Sequence, residues 1–130
     1  MKKFISLIAL LLVTSTALSA EIVSWAHPWL KPMSSKEPPP TRPEKVIRLR
    51  TTPGEYEPAC FAVRSDKDAE VTVSLARAAG SNASQALLRS TEIMVVESLA
   101  DSTQPNRLYE FSGTVKVRAG RTRYFWITVR

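Results

Sequence analysis

The sequence predicts an all-β fold, a β-sandwich of about six to seven short strands. Three observations carry that expectation. From Lys45 onward apolar residues recur with a period of two, polar or glycine-bearing breaks interrupt them at short intervals, and no stretch shows convincing helical periodicity. At 130 residues the chain has room for one domain.

The first twenty residues have the order of an export signal. Lys2 and Lys3 precede an apolar run from Phe4 to Val13, and the small-residue stretch Thr14 to Ala20 follows. The run of about ten residues is shorter than the ~20 needed to span a bilayer, so a cleaved leader is expected rather than a retained membrane helix. Cleavage after Ala17, Ser19 or Ala20 suits the pattern. No second apolar segment of spanning length occurs, and the mature chain is expected to be soluble in the periplasm or outside the cell.

Residues 21–44 read as a proline-rich strap. Six of the nine prolines (Pro28, Pro32, Pro38, Pro39, Pro40 and Pro43) fall within sixteen residues, which removes backbone donors and fixes φ, so neither a helix nor a central strand fits there. Trp25 and Trp29 alternate with small or polar residues, as in a strand or an extended segment laid on the body of the domain. Packing is the expected role for both, with a sugar-stacking or protein-contact platform as the alternative. His27, between them, has no neighbouring Asp, Glu, Cys or second His in sequence. It is expected to be structural or exposed, because general-base and metal roles need an orienting or co-ligating group.

Residues 45–130 are expected to form the sandwich. Val46, Ile47 and Leu49, then Cys60 to Arg64, then Val71, Val73 and Leu75 read as strands, separated by the turn-like Thr52-Pro53-Gly54 and Ser65-Asp66-Lys67-Asp68. Ala76 to Leu88 is expected to be a loop. Ile93 to Val96 suits a fully buried strand, and Leu108, Tyr109 and Phe111 lead through Ser112-Gly113 to the alternating Val115 and Val117. After the compact turn Ala119-Gly120-Arg121, the segment Thr122 to Val129 is the most strand-like in the chain, being rich in aromatic and β-branched residues. The sequence stops directly after it, at Arg130. A sandwich incomplete at its C-terminus is therefore expected, with Phe125 and Ile127 short of cover.

Composition removes several classes of function. One His and one Cys leave little material for multi-ligand zinc or iron–sulfur sites or for a Cys/His nucleophile pair, and no cofactor or metal is expected. Cys60, lying in the apolar run Ala59 to Val63, is expected to be buried, and a lone cysteine forms no internal disulfide. The formal net charge is +6, and without Lys2 and Lys3 it falls to 16 basic against 12 acidic residues, or +4. Arg118, Arg121, Arg123 and Arg130 lie near Tyr124, Phe125 and Trp126, but an exported chain of modest charge is not expected to bind nucleic acid. Glu55 and Glu57, two apart, would stand about 6.6 Å from each other along a strand. That separation does not exclude paired-carboxylate glycoside hydrolysis, yet no cleft to separate their acidities is visible, so a polar turn leading into a core strand is expected. Asn82-Ala83-Ser84 has the N-glycosylation pattern, relevant only in a eukaryotic source.

Three stretches resemble the N-terminal β-sandwich domain that precedes the catalytic barrel in glycoside hydrolase family 123 and related secreted bacterial proteins. Ile47-Arg48-Leu49 followed by Gly54-Glu55-Tyr56-Glu57-Pro58 through Arg64 is similar to the family's "GEYEP" lead into a core strand. Val71 to Leu75 is similar to the strand that follows, and Val117 to Val129 resembles its "pAGxTxxFWLTV" strand. Thr52-Pro53 departs from the family pattern before the Gly-Glu pair. The resemblance implies a non-catalytic accessory domain whose parent carries its acidic pair in a barrel beyond this sequence, so no catalytic residue transfers and Glu55 and Glu57 are not given that role. The alternative is a free-standing carbohydrate- or protein-binding module using Trp25, Trp29, Tyr109 and Tyr124 as stacking faces. A small hydrolase built on Glu55 and Glu57 is the third and least favoured reading.

Overall fold

The computed structural model describes residues 11–15, 20–50, 52, 54–75, 90–97, 107–111 and 113–129. Eight strands occur among them and no helix: β1 (Leu11–Ser15), β2 (Ile22–His27), β3 (Glu57–Ser65), β4 (Ala69–Leu75), β5 (Thr91–Glu97), β6 (Arg107–Glu110), β7 (Thr114–Val117) and β8 (Thr122–Val129). They form two antiparallel sheets, one in the order β2-β3-β8-β5-β6 and the other β1-β4-β7. The expected all-β, sandwich-like architecture is present.

Alternation of side chains across each strand builds two apolar layers. Phe61 and Val63 of β3, Val95 of β5, and Phe125, Ile127 and Val129 of β8 meet Val71 and Val73 of β4 and Val117 of β7 in the core between the sheets. Phe61 and Phe125 stack with ring centroids 4.7 Å apart, and Phe111 meets Phe125 edge-on at 5.4 Å. The opposite face of the five-stranded sheet carries Trp25, Cys60, Ala62, Val96 and Tyr124, with Met33 of the strap buried among them. The strap is thus a third layer, pressed on the sheet by its own apolar plug.

Of the connections that carry the chain between the sheets, the turns β3 to β4 and β7 to β8 are laced together. Ala119 N donates to Asp68 Oδ1 at 2.8 Å, and Gly120 N donates to Ser65 O at 2.8 Å. Gly120 has φ +65, a conformation that side-chain-bearing residues rarely adopt. At the other predicted turn Glu55 N donates to Thr52 O at 3.0 Å, around Gly54 at φ +87.

Several expectations are corrected. Residues 46–50 join no ladder; Ile47 and Leu49 pack half-buried against the inter-sheet core while Val46 and Arg48 face solvent, so the period-two pattern there records burial without strand pairing. The strap begins only at Pro28, because Ile22–His27 pairs with β3 and belongs to the sheet, and turns at Trp29–Leu30 and Ser35–Lys36 interrupt its extended course. Placing the start of the sandwich at residue 45 is therefore too late. Ile93 and Met94 are half-buried, so β5 is not buried throughout. Phe125 and Ile127 do not lack cover, since β8 lies between β3 and β5 and both side chains are buried. The loop expected over 76–88, including Asn82-Ala83-Ser84, lies outside the described residues.

Candidate functional site

The chemistry-bearing side chains converge between the strap and the outer face of the five-stranded sheet. Register explains why. His27, Cys60 and Trp126 oppose one another across β2, β3 and β8, and Trp25, Ala62 and Tyr124 form the next row on the same face. Strap residues 33–37 cross above these rows. Thr122 N donates to Ser35 O at 2.9 Å, Thr122 Oγ1 to Glu37 O at 2.6 Å, and Arg64 Nη1 to the same carbonyl at 3.0 Å. Further along, Ala26 N donates to Glu44 O at 2.6 Å, so the returning strap also caps the outer edge of β2.

Tyr124 is the hub. Its hydroxyl accepts from Ser34 N at 3.2 Å and donates to Ser34 O at 2.9 Å and to Glu37 Oε2. One phenolic proton serves two acceptors, and the charged oxygen draws it more strongly. His27 meets the Tyr124 ring edge-on at 4.9 Å, and its Nδ1 stands 3.8 Å from Glu37 Oε2, beyond hydrogen-bond reach. Its Nε2 is buried with no hydrogen-bond partner among the described residues. The expectation that His27 is without a carboxylate holds only in local sequence, since Glu37 reaches it across the strap.

Burial pushes the Cys60 thiol up to about 12, with the Glu37 carboxylate adding to the rise. Burial likewise raises the Tyr124 phenol, with its bond to Glu37 acting in the same direction. Both groups are held neutral, which makes the thiol an unreactive one. Because both folded values lie above the ordinary 9.0 and 10.0, the stability they favour is complete below about pH 9 and declines as pH rises toward 12. Urea unfolding should therefore show the stability difference between wild type and Cys60→Ala shifting against the wild type by about 1.4 kcal/mol per pH unit above pH 9. A difference that is independent of pH from 8 to 11 would contradict the buried neutral thiol.

The other sequence candidates are dispersed. Trp25 and Tyr124 are 4% and 3% exposed and offer no stacking face. Trp29 and Tyr109 are 44% and 41% exposed, but Trp29 leans on Trp126 on the strap side, while Tyr109 pairs with Val95, whose side chain faces the inter-sheet core. Trp29 and Trp126 meet at 78°, with centroids 6.2 Å apart, so they form no flat platform. Glu55 is exposed and Glu57 half-buried opposite Val129 at the start of β3. Arg121 Nη1 reaches Ser35 Oγ at 3.5 Å and Arg123 Nη2 reaches Glu97 Oε1 at 3.4 Å, so those two arginines turn to different neighbours. Among the described residues no group of three His, Cys, Asp or Glu side chains is placed to hold a metal ion, and no helix is long and apolar enough to cross a membrane.

This arrangement can fasten a strap to a sheet. An acid or base must meet its substrate, whereas the imidazole of His27 is 2% exposed and the Tyr124 hydroxyl lies beneath Ser34 and Glu37. Comparison with protein-family models, with curated proteins and with solved structures returned no match to this chain.

Proposed function

We propose that the chain is an exported, non-catalytic β-sandwich module, the N-terminal accessory domain of a secreted glycoside-hydrolase-like protein, which packs against that protein's catalytic domain. The observation that carries this reading is that His27, Cys60 and Tyr124 are buried beneath the strap, where the Tyr124 hydroxyl bonds Ser34 and Glu37, so imidazole, thiol and phenol are all covered. Exposed Trp29 and Leu30, beside half-buried Trp126, supply apolar surface of the kind a neighbouring domain covers. The alternative, a free-standing carbohydrate- or protein-binding module, is weakened by the burial of Trp25 and Tyr124 and by the perpendicular setting of Trp29 and Trp126.

Sequencing the encoding DNA past codon 130 tests the accessory role. An open frame continuing for several hundred codons into a glycosidase-like barrel is the expected result, and an immediate stop would overturn it. The purified chain should release no product from aryl glycosides. Turnover abolished by Glu55→Gln or Glu57→Gln would overturn the non-catalytic reading.

A further inference from the structure

In the three-stranded sheet β4 is held between β7 and β1, and β1 comes from the segment whose sequence marks it for removal on export. One bond sets the direction of the backbone groups along β4: Val73 N donates to Gly113 O at 3.0 Å, on the β7 side. Backbone groups alternate sides along an antiparallel strand, so Val71 and Val73 address β7, while Glu70, Thr72 and Ser74 address β1. With residues 11–15 gone, these three residues would present a donor and an acceptor each along an open edge. Such an edge is a template for another strand.

We infer that in the exported protein two copies pair through this edge, β4 against β4 of the second copy, antiparallel about a two-fold axis at Thr72. The inference rests on the export reading of residues 1–20. The edge already holds an antiparallel strand over five register pairs, Leu11↔Leu75 to Ser15↔Val71. Ala69–Leu75 is centred on Thr72, and pairing about that centre is the register in which all three edge residues find partners within β4. It sets Val71 opposite Val73, so the buried apolar face continues across the joint, and Glu70 opposite Ser74, so no like charges meet. Sliding by two residues toward the N-terminus would set Glu70 against Glu70. Thr72 itself would exchange both backbone bonds with its counterpart, as a self-complementary interface requires.

The test expresses the full chain with its leader in an exporting bacterium, records the intact mass of the product, and measures its size in solution. Thr72→Cys and Ser74→Cys are made alongside. Across the axis the Thr72 Cα atoms would lie about 5.5 Å apart, within disulfide range, whereas the Ser74 pair would be separated by about 14 Å. Cys60 is buried and does not compete. The expected result is a product lacking its leader, twice the monomer mass, cross-linked on mild oxidation in Thr72→Cys and not in Ser74→Cys. A leaderless monomer overturns the pairing, as does a dimer in which Thr72→Cys stays uncrosslinked. A product that retains residues 1–20 overturns the export reading and the pairing with it.

Discussion

Phe125→Ala should lower the unfolding free energy by about 3–5 kcal/mol, the usual loss when a large aromatic is truncated in a packed core. Phe125 is fully buried, stacks on Phe61 and receives the edge of Phe111, and its strand is the one both β3 and β5 pair with. The cavity would open at the centre of the sandwich, where backbone paired on both sides has little freedom to close it. Since whole domains are stable by only 5–15 kcal/mol in general, a variant folded in the cold and largely unfolded at 37 °C is the expected outcome of circular dichroism melts. A loss below about 1 kcal/mol in urea titration would mean that the Phe61–Phe125–Phe111 stack is not the centre of the fold.

Tyr124→Phe should destabilise by about 1–3 kcal/mol, with the damage concentrated in the strap. The ring stays in place against His27, but the hydroxyl's bonds to Ser34 and Glu37 vanish, leaving Ser34 N and the half-buried Glu37 carboxylate without them. Limited proteolysis should then cut between Met33 and Glu44 at concentrations of protease that leave the wild type whole. Equal resistance of the two proteins would show that Met33 and the bonds from Thr122 and Arg64 hold the strap without help from Tyr124.

The strands were legible where local pattern and tertiary environment agree. Thr122–Val129 has the bounds that its aromatic and β-branched content predicts, Thr114–Val117 contains the alternating Val115 and Val117, and Ala69–Leu75 begins two residues before the first valine of its pattern. At Val46 to Leu49 the same period-two signal misled, because it marks which side chains meet the core and is silent on whether a neighbouring strand exists. The cover over Phe125 and Ile127 is invisible in sequence because strand order is non-local: nothing in Thr122–Val129 shows that β3 and β5 flank it.

The polar cluster was harder to read. His27 and Glu37 are ten residues apart through a proline-rich segment, and Tyr124 is 87 residues from Glu37, so no local spacing joins them. One signal was present: Val23, Trp25 and His27 share a strand face, which places the histidine in phase with a buried tryptophan. Met33 gave a weaker one, as a lone large apolar residue in a polar, proline-rich stretch that must otherwise be held by hydrogen bonds alone.

Native-state hydrogen exchange at the Ser34 and Ala26 amides measures directly whether the strap is a constitutive layer of the fold. Both amides are donated across the strap contact, Ser34 N to the Tyr124 hydroxyl and Ala26 N to Glu44 O. Both should be protected within about tenfold of the β8 amides, and Tyr124→Phe should speed exchange at Ser34 while leaving Phe125 slow. Exchange at the rate of a free peptide at both amides, beside a protected β8, would contradict a constitutive strap.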